Sequence, residues 1–417
     1  MYQAVKGSNL PLTDASKDRI RELAVFYRNH LLADIMPFWE KRTKDDIAGG
    51  YLTCFDRKGN LTDENKYIWF QARQLYMFSA MYNRIEKDKK WLDLAKWGRD
   101  FLVKYAYAGD GRWYYQLDRE GGIQKGTISV YTDLFMLKAL CEYAKAGVSD
   151  EDLCLINETY DTLERNLHNP NFKAIYHGTW SPKYKRHGLY MISLIAAHCA
   201  ANVLGNSRTR RLIDHCLEQI LYVFAKDEYE ALFESVGWDG CVIFEPEGLV
   251  VNPGHTMESM WFVMEEALSR KSPALFDRAV RILDWACKQG FDEMCGGIYS
   301  YLDALGGVPL QTTWHTEVNA SWDDKVWWVH SEALYALALV AVEKDSQEHF
   351  DRFIALHDFC QKYFFDRKYG EWYAELYRDG SPKLTDKGTL WKACYHLPRA
   401  IMMTANLFER YTQNFIC

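Results

Sequence analysis

The sequence lacks the signals that mark membrane, secreted and multidomain proteins. Its 417 residues show no apolar run close to the roughly 18 residues that a membrane span needs. The start, MYQAVKGSNLPLTD, has no apolar stretch typical of a signal peptide. No Pro/Gly/Ser-rich or single-charge linker divides the chain. We therefore expect one globular domain over residues 1–417, with no membrane partner.

Several catalytic and metal-binding motifs are also missing. The 11 cysteines are scattered and odd in number, without a C-x-x-C pair, which fits reduced thiols and predicts a cytoplasmic protein. The chain has no H-E-x-x-H or clustered His/Cys set, no Walker loop and no G-x-S-x-G. We expect neither a metal site nor a required cofactor.

Net charge and aromatic content indicate which kinds of partner the protein binds. A net charge of −7 argues against nucleic acid or an anionic membrane surface. Aromatic residues make up 15% of the chain, including 15 Trp and 27 Tyr. Such a content is typical either of a large core or of a cleft lined with rings, as sugar sites often are.

A short motif recurs along the chain. Each copy alternates aromatic or apolar residues with others and then turns at Asp, Arg or Gly, which predicts a β-hairpin. The copies are GGYLTCFDRKGNL from Gly49, GRWYYQLDREGGI from Gly111, GGIYSYLDALGGV from Gly296 and GEWYAELYRDGSP from Gly370. Two weaker candidates, Tyr176–Gly188 and Val242–Val250, fill the long gap. A repeat of this kind indicates a repeat architecture.

Helical patterns lie between the hairpins. Apolar residues at helical spacing precede the hairpins at Arg19–Trp39, Trp91–Tyr107, Asp150–Leu167, Thr209–Phe224, Pro273–Lys288 and Gln347–Phe364. More apolar patterns follow them at Tyr67–Tyr82, Ser129–Tyr143, Leu189–Val203, His255–Leu268, Lys325–Val342 and Leu390–Phe408. Twelve helices in six pairs predict an all-α fold, the (α/α)6 barrel, with the more apolar helices inside and the hairpins at the rim of a central cleft.

Polar residues at the start of the inner helices are the candidate site. Trp69 and Arg73 are four residues apart and share a helix face. Arg73 is either one half of a buried ion pair or an anion clamp. His255 lies in the first turn of its helix with Glu258 three residues on, and the electropositive helix start favours a neutral imidazole.

The fifth and sixth repeats add further candidates. Trp328 and Glu332 share one apolar face, and His330 should face elsewhere. In the sixth repeat the helix either begins near Pro398, placing His396 just before it, or begins earlier, so that Lys392 and His396 share a face. Both alternatives stay open, and His187 in the third repeat is a candidate for the mouth of the cleft.

Four motifs in this order resemble the N-acylglucosamine 2-epimerase family: KYIWFQARQ, NPGHTMESMWF, KVWWVHSEAL and KGTLWKACYHLPR. With the hairpins, the resemblance covers nearly the whole chain. It implies an (α/α)6 barrel and an isomerase that interconverts N-acetylglucosamine and N-acetylmannosamine. It also implies ATP as an activator in some members. The functional residues it implies are Arg73, His255, Glu258, Glu332 and His396.

The implied reaction removes and returns the proton at C2 of the open-chain sugar. His255 and His396 would flank that carbon, and Arg73 would stabilise the enediolate oxygen. Glu258 and Glu332 would orient the histidines or bind hydroxyls, and Trp69, Trp328, Lys392 and His187 would contact the sugar. The alternatives are an aldose–ketose isomerase and a cellobiose- or mannose-type 2-epimerase on the same barrel. Those relatives resemble one another in a His and a Glu on the third inner helix, where this chain has Met191 and Leu194. A homodimer is a further expectation.

Overall fold

The computed structural model describes residues 10–147, 149–167, 169, 172–175, 181, 183–310 and 321–413. Twelve long α-helices form most of this described part. They are α1 Asp14–His30, α2 Ile68–Arg84, α3 Lys89–Phe101, α4 Val130–Ala144, α5 Asp150–Leu167, α6 His187–Leu204, α7 Asn206–Glu218, α8 Pro253–Arg270, α9 Pro273–Gly290, α10 Trp327–Glu343, α11 Gln347–Tyr363 and α12 His396–Gln413. Short π-helical turns extend three of them, at Leu31–Ile35, Leu102–Ala106 and Gln219–Phe224.

The strands are two or three residues long. In chain order they are β1 Cys54–Phe55, β2 Leu61–Asp63, β3 Lys66–Tyr67, β4 Tyr107–Gly109, β5 Arg112–Trp113, β6 Gln116–Leu117, β7 Ile123–Lys125, β8 Lys185–Arg186, β9 Ala225–Lys226, β10 Ala231–Leu232, β11 Ser235–Val236, β12 Val250–Val251, β13 Leu302–Asp303, β14 Lys325–Val326, β15 Glu375–Leu376 and β16 Pro382–Leu384. Their pairing is antiparallel in β1–β2, β6–β7 and β15–β16, which are hairpins in the first, second and sixth predicted positions.

The chain separates into two compact units. Unit 1 contains Met1–Phe38, Leu221–Lys387 and His396–Cys417, and unit 2 contains Trp39–Ile220 and Gly388–Tyr395. In unit 1, α8 packs on α9 and α10, α10 on α11 and α12, and α12 on α1. In unit 2, α2 packs on α3 and α4, α4 on α5 and α6, and α6 on α7. The expectation of one domain over residues 1–417 stays a prediction.

Within each unit, burial separates the two kinds of helix as the sequence predicts. The helices that follow the hairpins are buried on nearly all sides, as in α10, where every residue from Val329 to Ala341 is buried. A helix that precedes a hairpin, such as α3, buries one face and exposes charged residues on the other. An all-round apolar helix needs neighbours on every side, which explains why these helices hold the core.

Two-residue strands connect successive repeats. The strand immediately before an inner helix pairs with the hairpin of the following repeat, as β3 does with β6 and β14 with β15. A buried salt bridge holds each of these two strands in place. Lys66 in β3 contacts Asp45 at 2.9 Å, and Lys325 in β14 contacts Asp292 at 3.0 Å. These contacts fix where α2 and α10 start, and therefore where their first-turn side chains lie.

Two expectations from the sequence need correction, and a third is not tested. Val242–Val250 forms no hairpin, and only its last residue enters a strand, β12, which pairs with β13. The sixth inner helix begins at His396 rather than Leu390, because the Thr389 hydroxyl accepts the backbone N–H groups of Trp391 and Lys392 in a tight turn. The candidate hairpin at 176–188 lies partly outside the described residues and stays a prediction.

One helix meets the length and composition of a membrane span, contrary to the sequence expectation. Helix α6 has 18 residues with a mean hydropathy of 1.3. More than half of it is buried inside the protein, which is typical of a core helix.

Candidate active site

His255 is held at the start of α8 by its own chain. The Asn252 side chain caps the helix and accepts the His255 backbone N–H at 3.0 Å, and Pro253 occupies the first helical position. The ring Nδ1 donates to both carboxylate oxygens of Glu234, at 3.0 and 3.1 Å. Glu234 lies between β10 and β11, where its N–H bonds to the Val250 carbonyl at 3.0 Å.

Burial and neighbouring charges act against each other at His255. Burial lowers the pKa of the imidazole, but Glu234 raises it through its charge and its hydrogen bond, and Glu258 and Glu332 add to that effect. The net result is a pKa above the usual histidine value. The expectation that the helix start keeps His255 neutral stays a prediction, and the neighbouring carboxylates act against it.

His396 has a carboxylate partner of its own. It is the first residue of α12, and its Nδ1 lies 2.7 Å from Glu332 Oε1 and 3.7 Å from Glu258 Oε1. The other oxygen of Glu332 accepts the Trp261 indole N–H at 2.9 Å. Glu332 is thus fixed at both oxygens and orients the His396 ring.

Arg399 contacts the Glu332 partner of His396 and is fully buried. Its Nη2 donates to Glu258 Oε1 and to Glu332 Oε1, each at 2.5 Å, and its guanidinium lies 5.0 Å from the centre of the Trp261 ring. Glu258, Glu332 and His396 each place a possible metal-ligand atom within 4.8 Å of the others. The guanidinium already supplies a cation to both of these carboxylates.

The Trp328 indole contacts both histidines. Its ring centre is 4.8 Å from that of His255 and 5.7 Å from that of His396, and the side chain is half-buried. The result is one indole ring with two imidazoles close to it. Four of the five predicted catalytic residues and one predicted sugar-contacting tryptophan therefore lie together in unit 1.

Arg73, the fifth predicted catalytic residue, lies in unit 2. It occupies a cage of aromatic rings, with its guanidinium 4.1 Å from the centre of Phe135, 4.5 Å from Trp69 and 4.8 Å from Tyr395. Such contacts stabilise a cation without neutralising its charge. The predicted roles of Arg73 and Trp69 in catalysis and sugar binding stay predictions.

The other predicted residues are buried. His187 is the first residue of α6 and Lys392 lies in the turn before α12, and both side chains are fully buried. Their predicted contacts with sugar stay predictions. His330 faces away from the cluster, as expected: its Nδ1 donates to the Val326 carbonyl at 2.8 Å and its Nε2 accepts the Ile298 N–H at 3.0 Å.

Three members of the cluster were not predicted. Arg399 comes three residues after His396 in YHLPR, so helical spacing could have indicated it. Trp261 likewise comes three residues after Glu258 on one helix face. Glu234 gives no such signal, since it lies 21 residues before His255 and only the tertiary structure brings them together.

Solved structures show the same fold. A cellobiose 2-epimerase from Spirochaeta thermophila superposes with a TM-score of 0.81 at 19% identity, covering 95% of this chain and 99% of that one. The all-α fold, an (α/α)6 barrel, is confirmed by this likeness. This likeness shows the fold, and the sequence relatives define the class of protein, which is an isomerase.

Sequence comparison gives the family. The family model for N-acylglucosamine 2-epimerase (GlcNAc 2-epimerase) matches residues 50–400, and the chain belongs to that family. The mouse N-acylglucosamine 2-epimerase is 27% identical over 394 residues, which is 91% of this chain and 90% of that protein. A cellobiose 2-epimerase from Dictyoglomus turgidum is 25% identical over 393 residues, 88% and 94% of the two chains.

Proposed function

We propose that this enzyme interconverts N-acetylglucosamine and N-acetylmannosamine by deprotonating and reprotonating C2 of the open-chain sugar. The observation that carries the proposal is the pair of histidines that contact Trp328, each with Nδ1 held by a carboxylate. Epimerisation needs one proton-transfer group on each face of the same carbon. Relatives named N-acylglucosamine 2-epimerase align over nearly the whole chain and support the choice of sugar.

The chemistry follows from histidine at neutral pH. In the open form the C1 aldehyde makes the C2 proton acidic. One imidazole takes that proton, and the C–H electron pair becomes the C1=C2 bond of an enolate whose charge rests on O1. The opposite imidazolium then returns a proton to the other face, so that the enzyme gains and loses one proton in each turnover. Positioned proton transfer of this kind contributes about 10²–10⁴-fold.

The third inner helix favours the N-acyl sugar over the alternatives. Met191 and Leu194 are buried in α6, so this helix offers no polar group at the positions where the alternative enzymes are expected to carry His and Glu. A single product assay distinguishes the alternative reactions. Incubation with N-acetylmannosamine, mannose and cellobiose, followed by NMR of the products, separates the N-acyl 2-epimerase from a mannose or cellobiose 2-epimerase and from a ketose-forming isomerase.

Proton exchange with solvent tests the mechanism. In D₂O the epimerised product should carry deuterium at C2, and its C2 proton signal should be absent as product forms. His255→Asn and His396→Asn should each abolish turnover while leaving the thermal midpoint nearly unchanged. The two-histidine mechanism would be refuted if the product kept its C2 proton, or if either variant turned over at the wild-type rate.

The role of Arg73 is part of the proposal. A guanidinium can stabilise the enolate oxygen as charge develops, and the contacts of Arg73 with the Trp69 and Phe135 rings help to hold its guanidinium in place. Arg73→Met should lower kcat more than it raises KM, because the oxyanion exists only in the transition state and intermediate. An equal kcat with a raised KM would instead assign Arg73 to ground-state binding.

The proposal extends to cofactors, oligomeric state and cell location. We propose that activity is independent of metal ions, supported by the Arg399 guanidinium that bridges Glu258 and Glu332, and dialysis against EDTA should leave the rate unchanged. ATP as an allosteric activator, a homodimer and a cytoplasmic location are further proposals. The described cysteines are free thiols, which supports a reducing compartment.

A further inference from the structure

We propose that Phe244 is a specificity-determining residue whose exposed ring contacts the N-acyl group of the sugar. Phe244 lies in residues 237–249, which connect β11 to β12 and are called the 237–249 loop below. The inference rests on the proposed function, because it deepens the choice of sugar. It concerns binding and adds no step to the proton transfer.

The 237–249 loop stands where other repeats have the return strand of a hairpin. In the first, second and sixth repeats, β2, β7 and β16 pair back onto the strand before them. In the fourth repeat, residues 237–249 contain no strand. Two turns shape them instead: the Gly237 N–H bonds to the Cys241 carbonyl at 2.8 Å, and the Gly248 N–H bonds to the Glu245 carbonyl at 2.9 Å. Loops that depart from the common scaffold in this way commonly carry the contacts specific to one function.

Two large aromatic side chains of the loop are exposed. Phe244 is 68% exposed and Trp238 is 53% exposed. Phe244 is the only phenylalanine among the exposed large apolar residues of the described part of the chain. A single exposed apolar side chain is ordinary, but two large rings on one short loop form an apolar surface. A ligand that covers this surface removes it from water, which favours binding.

The base of the loop is anchored to the residues that hold His255. The Glu234 N–H bonds to the Val250 carbonyl at 3.0 Å, which brings the two ends of the loop together. At one end the Glu234 carboxylate is hydrogen-bonded to His255 Nδ1 at 3.0 Å. At the other end the Asn252 side chain accepts the His255 backbone N–H at 3.0 Å. The loop therefore begins and ends beside His255.

Packing inside the loop keeps Phe244 near this base. Gly248 lies against Ile243, since a Cβ added at Gly248 would be 2.2 Å from the Ile243 carbonyl oxygen. The next residue, Leu249, is fixed in turn, because its carbonyl accepts the Ala304 N–H at 2.9 Å. Phe244 follows Ile243 directly, so its ring extends from a folded-back segment close to the base and not from an extended arm.

The chemistry of the sugar indicates which group Phe244 contacts. The proposed reaction places C2 beside His255, and the N-acyl group is the substituent on C2. Among the groups of the sugar, this substituent is therefore the one expected beside a loop that is anchored at His255. Its methyl group is apolar and gains from contact with a phenyl ring that excludes water. A sugar with a hydroxyl group at C2 offers no such contact.

Steady-state kinetics with N-acetylmannosamine tests the contact. Phe244→Ala should raise KM by about 10-fold and leave kcat within about twofold, because an apolar contact binds ground state and transition state alike. Phe244→Leu keeps an apolar side chain, so its KM should stay within about threefold of the parent. Tyr222→Ala is the matched control, because Tyr222 is 67% exposed in the same unit and lies outside the loop. The thermal midpoint of each variant checks that it is folded.

Direct binding separates this inference from the proposed function. N-Acetylmannosaminitol lacks the C1 aldehyde and cannot react, so calorimetry measures its Kd without turnover. That Kd should rise about 10-fold in Phe244→Ala and keep the parent value in Tyr222→Ala. A parent that binds the alditol but epimerises no sugar would refute the proposed function, and the comparison of Kd values would still decide the role of Phe244.

Three results would overturn the inference. The first is an unchanged KM and Kd in Phe244→Ala. The second is a lowered kcat with an unchanged KM, since Phe244 would then act on the reaction and not on binding. The third is an equal loss of affinity in Tyr222→Ala, which would show a general effect of exposed apolar side chains. A parent that neither epimerises nor binds an N-acyl sugar would refute the inference together with the proposed function.

Discussion

Arg399 provides the sharpest test of how the buried charges of Glu258 and Glu332 in unit 1 are compensated. Its side chain is fully buried, and its Nη2 lies 2.5 Å from one oxygen each of Glu258 and Glu332, both buried as well. Replacing Arg399 with Met keeps most of the side-chain volume and removes the cation. Two buried carboxylates then remain with His396 as their nearest partner.

The expected loss can be worked from the distances. The ligand oxygens of the two glutamates lie within 4.8 Å of each other, and at an effective dielectric of about 20 their repulsion is about 3.5 kcal/mol. Breaking a buried ion pair by removing one partner typically costs about 3–5 kcal/mol. We therefore expect Arg399→Met to lower the free energy of unfolding by about 3–5 kcal/mol.

A matched arginine provides the control. Arg28 contacts Glu409 at 3.1 Å in the same unit, but the two side chains are 33% and 30% exposed. Arg28→Met should cost about 0–1 kcal/mol, because water screens such a pair. Urea unfolding followed by tryptophan fluorescence measures both variants at one pH.

A second substitution separates charge from packing. In Arg399→Met, the further change Glu258→Gln removes one of the two facing charges and should recover about 1–3 kcal/mol. Packing loss alone would leave the double variant no more stable than the single one. An Arg399→Met variant as stable as Arg28→Met would refute the reasoning, because the buried carboxylates would then need no cation.

Other predictions follow from single contacts. Burial lowers the pKa of His330 to about 3, so below pH 6.5 the unfolded chain binds a proton that the folded protein does not. The free energy of unfolding should therefore fall by about 1.4 kcal/mol per pH unit as the pH drops from 6.5 toward 3. His330→Gln should remove this contribution in urea unfolding measured at several pH values. Trp328→Leu should lower kcat by roughly 10²-fold with a small change in thermal midpoint, since its ring lies against both imidazoles; wild-type kcat would contradict that role. A Cβ at Gly98 would lie 2.1 Å from the buried Tyr51 ring, so Gly98→Ala should destabilise by about 1–3 kcal/mol despite its better helix propensity, and an unchanged midpoint would show that the ring can move.

Local patterns predicted most of the elements. Asp150–Leu167 was predicted with its observed bounds, and Gln347–Phe364 within one residue at its end, because apolar spacing and polar flanks mark such helices directly. The start of α12 was harder to place, since residues 390–395 are apolar enough for a helix but are held in a turn by the Thr389 hydroxyl. A side-chain bond of this kind changes a boundary without changing the hydrophobic pattern.

The sequence by itself determined the fold class and the candidate residues in the first two turns of the inner helices. Repeated hairpins and apolar spacing are local properties, and His255, Glu258, Glu332 and His396 follow from position within each repeat. Only the tertiary structure decided how these residues are paired. Glu234 reaches His255 from 21 residues away, and Arg399 joins carboxylates from two other helices. Protonation depends on charge at a few ångströms, and those distances are set by packing between repeats, which no single segment encodes.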